Sequence, residues 1–500
     1  GILDHEALLG DFGKLHKILS MPYWTEEAGL YRPITLVSYS LNFLLLGRNP
    51  WGFHLINLLF YFGSCFLIFV LISKLFNQKI LSYLAALFFL VLPIHTEVVA
   101  NITGRAEILA LFFSLLALNE ILSERPRFVF LFLWPLLALG SKETAVVLFP
   151  LALFFIYLKE KNNFFCQKTI KIYLVPFLAF LSSLLVYFGA RFLVLGHQYF
   201  STVETTIVEN PLKFTTANFR LATALKITLM YFKKTFWPFN LCSDYSFNQI
   251  PIVKSWFNFG TLGGLIIVLG IIFIIIFYFK RQPILSLAGF WWLISFFLVS
   301  NFFFPIGTIA GERLVYFASL GAALFLGWIF SYFLKKYQSQ KICFWSVGIF
   351  AIIILVFYSV LSLNRSADWL TEKRLFESAA RCAPNSVLSL SNLGAVYYLE
   401  GDLANAKKWL LAAQEIYPDY PKGVNNLGLV YWREGDYQKA RELFLRALSY
   451  RFPFYGAYEN LALLALSENN IEEAKKWLRE FYQGDERAVD YYLKAYFSAR

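Results

Sequence analysis

Segment 93–107 gathers side chains that could do chemistry beside a long apolar run. It holds one histidine, two glutamates and one arginine, namely His95, Glu97, Arg105 and Glu107. Charged groups at the edge of an apolar span are costly unless they have a role. In a helix Arg105 would lie about two turns from Glu97, so a salt bridge that merely locks the loop is the alternative interpretation. No zinc site is predicted, because no second histidine lies near His95 and Glu97.

Further charged groups lie at the ends of other apolar runs. They are Arg32, Lys142, Glu143, Asp244, Glu312 and Arg313. Together with Arg105, the three cations of this set would put four basic groups on one apolar-walled face. Arginine binds phosphate oxygens in a bidentate manner, and a low dielectric strengthens the attraction. We therefore expect an anionic ligand, and a lipid-linked phosphate fits because its tail can stay in a bilayer.

The elements that must position these groups are ten apolar runs. They cover 51–73, 80–92, 106–122, 128–139, 144–158, 171–195, 257–279, 284–304, 314–334 and 342–363. Six are long enough to cross about 30 Å of hydrocarbon, and the pair around Lys142 could instead be a re-entrant hairpin. Short basic loops alternate with the loops that hold the reactive residues. By the positive-inside rule, the reactive residues face the extracytoplasmic side.

Composition agrees with a membrane protein. Hydrophobic residues make up 58 % of the 500 residues, and 55 residues are Phe. The net charge of +12 comes entirely from the first 363 residues, since 18 basic and 18 acidic residues balance after that point. Basic loops between spans explain this excess, so a nucleic-acid partner is not predicted. The five cysteines show no CxxC spacing, and we interpret them as small apolar core residues that form no disulfide.

Between the spans, 219–236 is apolar but carries three lysines, which is typical of an amphipathic helix lying on a membrane surface.

After the last span the sequence repeats every 34 residues. The repeated elements are Asn392-Leu393-Gly394 with Asn426-Leu427-Gly428 and Asn460-Leu461-Ala462, then Gly401-Asp402 with Gly435-Asp436 and Asn469-Asn470, and a small residue at Ala406, Ala440 and Ala474. This pattern resembles the tetratricopeptide repeat (TPR), a solenoid of antiparallel helix pairs. Such a solenoid usually binds a peptide or protein, although three repeats could simply cap the membrane domain.

Several motifs resemble the transmembrane-and-TPR-repeat (TMTC) proteins. They are YRPITLVSYSLN at 31–42, NPWGFHLIN at 49–57, LPIHTEVVA at 92–100, GRAE at 104–107, SKE at 141–143, DYS at 244–246 and ER at 312–313. That family is similar to protein O-mannosyltransferases of the GT-C superfamily. The resemblance implies a polytopic inverting transferase that passes a sugar, with mannose expected, from a polyprenyl-phosphate donor to a protein or peptide hydroxyl. It needs no cofactor beyond the donor substrate, and a metal requirement is left open.

In this family an acidic residue of the first outer loop acts as the base toward the acceptor. The candidates here are Asp4, Glu97 and Glu107, with substrate-binding roles for Arg32, His95, Arg105, Lys142, Glu143, Asp244, Glu312 and Arg313. The family's paired acidic motif directly follows its first span. This chain is expected to begin just after that span, so Asp4 would lie slightly beyond the motif.

The predicted architecture is all-α, a polytopic GT-C-like helical bundle followed by an α-solenoid. Residues 1–50 form an outer loop, 51–363 the membrane domain with about ten spans, and 364–500 the repeats on the extracytoplasmic side of a bacterial inner membrane or the endoplasmic reticulum. Two other functions stay open. One is a non-catalytic scaffold that recruits partners through the repeats. The other is a transferase like the O-antigen ligases, which would need a denser Arg/His cluster than 195–257 offers.

Overall fold

The computed structural model describes residues 15–23, 29–160, 167–196, 205–450 and 454–498. Within these ranges the chain is helical and contains no β-strand, so the all-α prediction is confirmed. The chain divides into two compact units. The first comprises the described residues up to 196 together with 215–241 and 252–369, and the second comprises 205–214, 242–251 and 370–498.

The first unit contains fourteen α-helices in its described part. They are α1 (Leu15–Leu19), α2 (Pro33–Leu46), α3 (Pro50–Phe76), α4 (Lys79–Val91), α5 (Thr96–Ala100), α6 (Arg105–Ile121), α7 (Phe128–Ser141), α8 (Leu148–Glu160), α9 (Gln167–Leu195), α10 (Ala217–Phe236), α11 (Phe259–Tyr278), α12 (Pro283–Phe297), α13 (Tyr316–Lys336) and α14 (Lys341–Ser366). Helix α13 packs between α12 and α4, α6 packs between α3 and α7, and α10 lies along α11.

Six helical segments of the first unit are long and apolar enough to cross a membrane. They are Pro50–Phe76, Ile102–Ile121, Tyr173–Leu195, Phe259–Tyr278, Glu312–Lys336 and Lys341–Trp369. A seventh candidate is the pair Lys79–Val91 and Pro93–Ala100, which bends by 50° at Leu92. The runs predicted at 128–139, 144–158 and 284–304 form the shorter helices α7, α8 and α12. The total of ten crossings therefore stays a prediction.

The predicted helix at 219–236 exists as α10, and one of its faces is buried within the unit. Its Tyr231 hydroxyl donates to the carbonyl oxygen of Gly311 over 2.9 Å and accepts from the Gly311 N–H over 2.8 Å. The backbone N–H and C=O of Gly311 are thus both satisfied by the buried Tyr231 side chain. Helix α10 thereby fixes the turn that precedes Glu312 and Arg313.

The second unit contains the solenoid. Its helices are α15 (Glu372–Cys382), α16 (Val387–Leu399), α17 (Leu403–Ile416), α18 (Pro421–Arg433), α19 (Tyr437–Leu448), α20 (Gly456–Ser467), α21 (Ile471–Phe481) and α22 (Glu486–Ser498). The three predicted repeats are the pairs α16–α17, α18–α19 and α20–α21, so the predicted period of 34 residues is confirmed.

The turns inside the repeats explain the paired Gly-Asp and Asn-Asn residues. Gly401, Gly435 and Asn469 have φ angles of 83°, 87° and 58°, a left-handed conformation that glycine and asparagine tolerate best. The next residue caps the second helix; Asp402, for example, accepts from the Asn405 N–H over 3.0 Å. The turn sequence therefore ends one helix and starts the next.

The cysteine prediction is wrong for one pair. Cys242 and Cys382 form a disulfide with a Cα–Cα distance of 5.8 Å, although 140 residues separate them in sequence. Cys65 is buried and Cys343 half-buried, both without a disulfide, and Cys166 lies outside the described residues. The error has a simple origin, because two cysteines so far apart carry no spacing signature. The disulfide fastens segment 242–251 to the first helix of the solenoid unit.

The contact between α10 and α11 gives a stability prediction. A side chain at Gly264 would overlap the carbonyl oxygen of Leu225, whereas a side chain at Gly270 of the same helix would meet nothing within 4 Å. Gly264→Ala should therefore force the helices apart and cost about 1–3 kcal/mol, and Gly270→Ala is the matched control. Thermal unfolding in detergent checks this, and equal unfolding temperatures for the two variants would contradict the close approach.

Candidate functional site

Three ion pairs form a cluster at the starts of helices in the first unit. The first joins Glu143, which follows the end of α7, to Arg32, which precedes α2. The Arg32 Nη2 and Nε atoms lie 2.9 and 3.1 Å from Glu143 Oε2. A second guanidinium, that of Arg191 in α9, approaches Glu143 Oε1 to 3.7 Å. Burial by itself would raise the pKa of Glu143, but the adjacent Arg32 guanidinium holds it below its usual value.

Arg191 was missed in the sequence analysis. It lies within the apolar run 171–195, which was treated only as a span. The signal was available, because an isolated arginine inside such a run is itself a functional candidate that should have a partner. In the structure Arg191 also donates to the carbonyl oxygen of Gly29 over 2.9 Å.

The second pair joins Lys142 to Glu107, with the Lys142 ammonium donating to Glu107 Oε1. Both residues are buried. Lys142 directly follows the last residue of α7, and its extended backbone turns the chain into the 3₁₀ helix Glu143–Val147. Glu107 lies in the first turn of α6, where the helix dipole also favours a negative charge.

The third pair joins Glu97 to Arg313, which are 216 residues apart in sequence. Glu97 accepts from the Arg313 backbone N–H over 2.9 Å and from its Nη1 over 2.7 Å. Glu97 is 1 % exposed, whereas the Arg313 side chain is 45 % exposed. This asymmetry matters, because a buried carboxylate fixes a cation that solvent or a ligand can still reach.

The three ion pairs lie close enough for their charges to influence one another. Burial lowers the pKa of Lys142, the charges of Arg32 and Arg313 lower it further, and those of Glu143 and Glu97 oppose the change. The predicted set of four available cations is therefore corrected: Arg32, Lys142 and Arg313 each have a glutamate partner. Of the three, Arg313 is by far the most exposed.

Arg105 lies apart from these pairs and is fully buried. Its guanidinium donates to Asn57 Oδ1 and Asn42 Oδ1, each over 2.7 Å, and to the carbonyl oxygens of Phe53 and Ser38 over 2.8 and 3.2 Å. The alternative of a salt bridge with Glu97 is wrong, because Glu97 pairs with Arg313. Arg105 joins α2, α3 and α6, and its donors are not placed to bind a phosphate.

His95 also has its ring nitrogens engaged in the interior. Nδ1 lies 2.8 Å from the Tyr61 hydroxyl and Nε2 lies 2.6 Å from the Ser319 hydroxyl. The ring is buried among Phe89, Tyr61 and Tyr316. A substrate-binding role for His95 is not supported by this geometry. Glu312 is likewise fully buried, in the first turn of the 3₁₀ helix Glu312–Val315.

Asp244 belongs to the second unit and not to this cluster. Its Oδ2 accepts from the hydroxyl groups of Ser246 (2.8 Å), Ser389 (2.9 Å) and Ser386. The carboxylate therefore ties segment 242–251 to the start of α16 and stabilises the same junction as the disulfide. These contacts give Asp244 a structural role, and its predicted substrate-binding role stays a prediction.

Asp4 lies outside the described residues. Within the described ranges, no group of three or more His, Cys, Asp or Glu side chains is arranged to hold a metal ion.

Comparison with known proteins bears on the whole arrangement. The family model described as Protein O-mannosyl-transferase TMTC, DUF1736, matches residues 200–272, and tetratricopeptide-repeat models match 385–451 and 425–496. The chain is a TMTC-like TPR protein.

Similar proteins of this kind occur in animals. Protein O-mannosyl-transferase F38B6.6 of Caenorhabditis elegans is 28 % identical over 416 residues, which cover 81 % of this chain and 57 % of that protein. TMTC3 of Mus musculus is 25 % identical over 78 % of this chain and 44 % of its own length, and mouse TMTC4 is 28 % identical over 76 % and 57 %. The chain thus spans about half the length of the curated relatives it matches.

The matched segment has a clear place in this TMTC-like chain. Residues 200–272 include α10, which fixes the turn before Arg313, and most of α11. The same segment supplies 205–214 and 242–251 to the unit that contains the repeats. One short stretch therefore contributes both to the support of the ion-pair cluster and to the start of the solenoid unit.

The Lys142–Glu107 pair gives a test of the cluster. Lys142→Met should strand a buried carboxylate and destabilise the protein by about 3 kcal/mol. The double variant Lys142→Met/Glu107→Gln removes both charges and should recover most of this loss. Unfolding temperatures in detergent measure both effects, with Lys79→Met, a change of an exposed lysine at the start of α4, as the control. A double variant no more stable than the single one would contradict the pairing.

Proposed function

We propose that this TMTC-like chain carries the site of a membrane O-mannosyltransferase. The donor is a polyprenyl-phosphate-linked mannose, and the acceptor is a protein hydroxyl on the extracytoplasmic side. The observation that carries the proposal is the exposed guanidinium of Arg313, held by the buried Glu97 carboxylate at the start of a membrane-length helix. The names of the relatives support the choice of sugar and acceptor.

Arg313 is suited to the phosphate of the donor. Within the described residues its guanidinium donates only through Nη1, to Glu97, so further N–H donors stay available on the exposed side. A guanidinium that is already fixed in place costs little reorganisation when charge develops on the leaving group. Arg32 and Arg191 are less exposed and share Glu143, which suits them to shaping the site.

An apolar cavity of about 210 Å³ among α10, α11, α12 and α13 supports a lipid-linked donor. Its lining includes Phe232, Gly270, Gly289, Trp292 and Gly321, and nearly all of its surface is apolar. Gly321 follows Arg313 by eight residues, mostly along α13, a rise of about 12 Å. We assign the cavity to part of the polyprenyl chain, with the phosphate at Arg313.

The proposed reaction is a direct displacement. The acceptor oxygen forms a bond to the anomeric carbon of mannose, while the bond from that carbon to the phosphate oxygen breaks. The leaving phosphate takes the electron pair, and the acceptor proton passes to a base. Attack opposite the leaving group inverts the anomeric configuration, as in GT-C transferases.

The base must reach the acceptor hydroxyl to within hydrogen-bond distance. Glu97 and Glu107 are buried, and each is engaged by a cation. We therefore assign both as positioning residues, in place of their predicted roles as base. Asp4 stays the candidate base among the three predicted acids.

The repeats are proposed to hold the acceptor protein on the extracytoplasmic side. The Cys242–Cys382 disulfide supports this side for the second unit, because structural disulfides persist in oxidising compartments and are rare in the cytosol. The ion-pair cluster and the repeats would then lie in the same compartment.

Transfer activity tests the role of Arg313. In the full-length protein, Arg313→Ala should reduce transfer of radiolabelled mannose from polyprenyl-phosphate mannose by about 100-fold, as expected on losing one donor to a developing anion. Arg313→Lys should retain more activity because it keeps the charge. The control is Lys280→Ala, a change of an exposed lysine in a basic loop.

Two results would count against the proposal. One is equal transfer by Arg313→Ala and Lys280→Ala. The other is no transfer by the wild-type protein with any lipid-linked sugar, which would favour a scaffold that acts through its repeats. Unfolding temperatures measured in parallel would separate loss of activity from loss of fold.

The sidedness of the repeats has its own test. In protein from its native membrane, denatured and treated with a polyethylene-glycol maleimide, three of the five cysteines should react before reduction and all five after it. The Cys242→Ser/Cys382→Ser variant should show no change on reduction. Five reactive thiols before reduction would place the second unit in a reducing compartment.

A further inference from the structure

The second unit contains a pocket of about 320 Å³ beside the turn that joins α17 to α18. Four of its lining residues are aromatic and one is acidic, namely Phe214, Tyr417, Tyr420, Tyr450 and Asp419. We call it the aromatic pocket. Ligand pockets generally measure about 300–1,000 Å³, so this one has room for a small ring rather than for a long stretch of chain.

One wall of the aromatic pocket comes from segment 205–214, which lies far from the repeats in sequence. Val208 is fully buried in the same apolar core as Tyr420, and its carbonyl oxygen accepts from the Phe247 N–H over 2.9 Å. Phe214, the last residue of the segment, is 46 % exposed. The core thus anchors this wall and leaves an aromatic ring accessible to a ligand.

A second wall is the turn 417–421, which α19 and the residues just after it hold in place. The carbonyl oxygen of Pro418 accepts from Arg446 Nη2 over 2.9 Å and from the Tyr450 hydroxyl over 3.3 Å. The same hydroxyl accepts from Arg446 Nε over 2.7 Å. The turn and the Tyr450 ring are therefore fixed before a ligand binds, which reduces the ordering cost of binding.

The carboxylate of Asp419 keeps hydrogen-bonding capacity at this pocket. Its side chain is 61 % exposed, and Arg446 Nη2 lies 3.9 Å from its Oδ1, which is too far for a hydrogen bond. The guanidinium nevertheless offsets the negative charge. The pocket therefore offers acceptor oxygens next to aromatic rings with little net charge.

A hexopyranose has the chemistry that such a pocket can bind. C–H bonds cover the faces of the sugar ring, and an aromatic ring attracts them because its own face is negative. Hydroxyl groups surround the edge of the sugar and need hydrogen-bond partners when they are buried, and a carboxylate can accept from two neighbouring hydroxyl groups. Aromatic rings also bind cations, but the Arg446 guanidinium beside Asp419 disfavours a cationic ligand.

We propose that the aromatic pocket binds one hexopyranose residue carried by a protein. That this sugar is an O-linked mannose already added to the acceptor rests on the proposed function. Binding of this kind retains a protein that carries one mannose and favours further transfer to the same protein. The pocket is then a site for the product of the reaction, separate from the ion-pair cluster.

Glycopeptide binding by the full-length protein, measured without any donor, tests the aromatic pocket. The probe is a fluorescein-labelled peptide with one O-mannosylated threonine, read by fluorescence anisotropy in a detergent that has no sugar headgroup. It should bind at least about tenfold more tightly than the same peptide without mannose. Phe214→Ala should reduce this preference about fivefold because an aromatic face is lost. Phe497→Ala removes a similarly exposed ring (51 %) from α22 and should leave the preference unchanged.

Substitutions of Asp419 distinguish a sugar from a cation. Asp419→Asn retains an acceptor oxygen and should keep most of the preference, whereas Asp419→Ala should lose about tenfold. Asp490→Ala, a change of an exposed aspartate in α22, is the control. Raising the salt concentration from about 50 mM to about 500 mM should not change binding of the neutral sugar, because salt screens only charged ligands.

Three results would overturn the proposal. The first is equal binding of the peptides with and without mannose. The second is an unchanged preference in Phe214→Ala and Asp419→Ala at the wild-type unfolding temperature. The third is equal weakening by Asp419→Asn and Asp419→Ala together with weakening by salt, which would assign the pocket to a cation.

Other sugars and the transfer reaction separate this proposal from the proposed function. Tighter binding of a galactosylated or glucosylated peptide than of the mannosylated one would support a hexopyranose pocket and count against mannose as the transferred sugar. Sugar-dependent binding by a protein that transfers no mannose would support the pocket and count only against the transferase.

Discussion

Neutralisation of buried charge is the constraint on which the first unit depends. Carboxylates at Glu97, Glu107 and Glu143 lie in the first turns of short or long helices, where the helix dipole stabilises them only in part. Each carboxylate is neutralised by a cation next to the end of another helix. The cations are Arg313, Lys142 and Arg32, respectively. Because removing one partner would strand a charge in a low dielectric, the pairs fix how these helix ends meet.

The periodic part of the fold could be predicted from sequence, whereas the pairing of site residues could not. Apolar run length and a repeat of 34 residues are local signals, and they correctly located α3, α13 and the three helix pairs. Arg105 and Arg313 look alike in sequence, since each follows a glycine-containing turn next to an acidic residue. Only the fold distinguishes them: Arg105 is surrounded by neutral acceptors of α2 and α3, whereas Arg313 meets Glu97 across 216 residues and stays exposed.

The loop between the sixth and seventh predicted spans also contains a residue, Asp244, whose partners could not be predicted from the sequence. Asp244 was grouped with the site because of its charge and predicted side. It instead accepts three serine hydroxyls, two residues from a cysteine bonded to Cys382. Ser246 is close in sequence, but Ser386, Ser389 and Cys382 lie about 140 residues away, so the sequence around 244 does not reveal them. Segment 242–251 is therefore part of the solenoid unit, and hydrogen bonds from serine hydroxyl groups hold the half-buried Asp244 carboxylate there.

These arrangements separate two uses of polar residues in one chain. Where a polar side chain is engaged by other residues of the protein, as for Arg105, His95 and Asp244, its hydrogen bonds stabilise the fold. Where a partner fixes the side chain but leaves donors exposed, as for Arg313, hydrogen-bonding capacity remains for a ligand. Glu97 connects the two cases, since its complete burial is what orients an accessible guanidinium. The residues that act on substrates are therefore to be sought among polar groups that are held by the protein but not saturated by it.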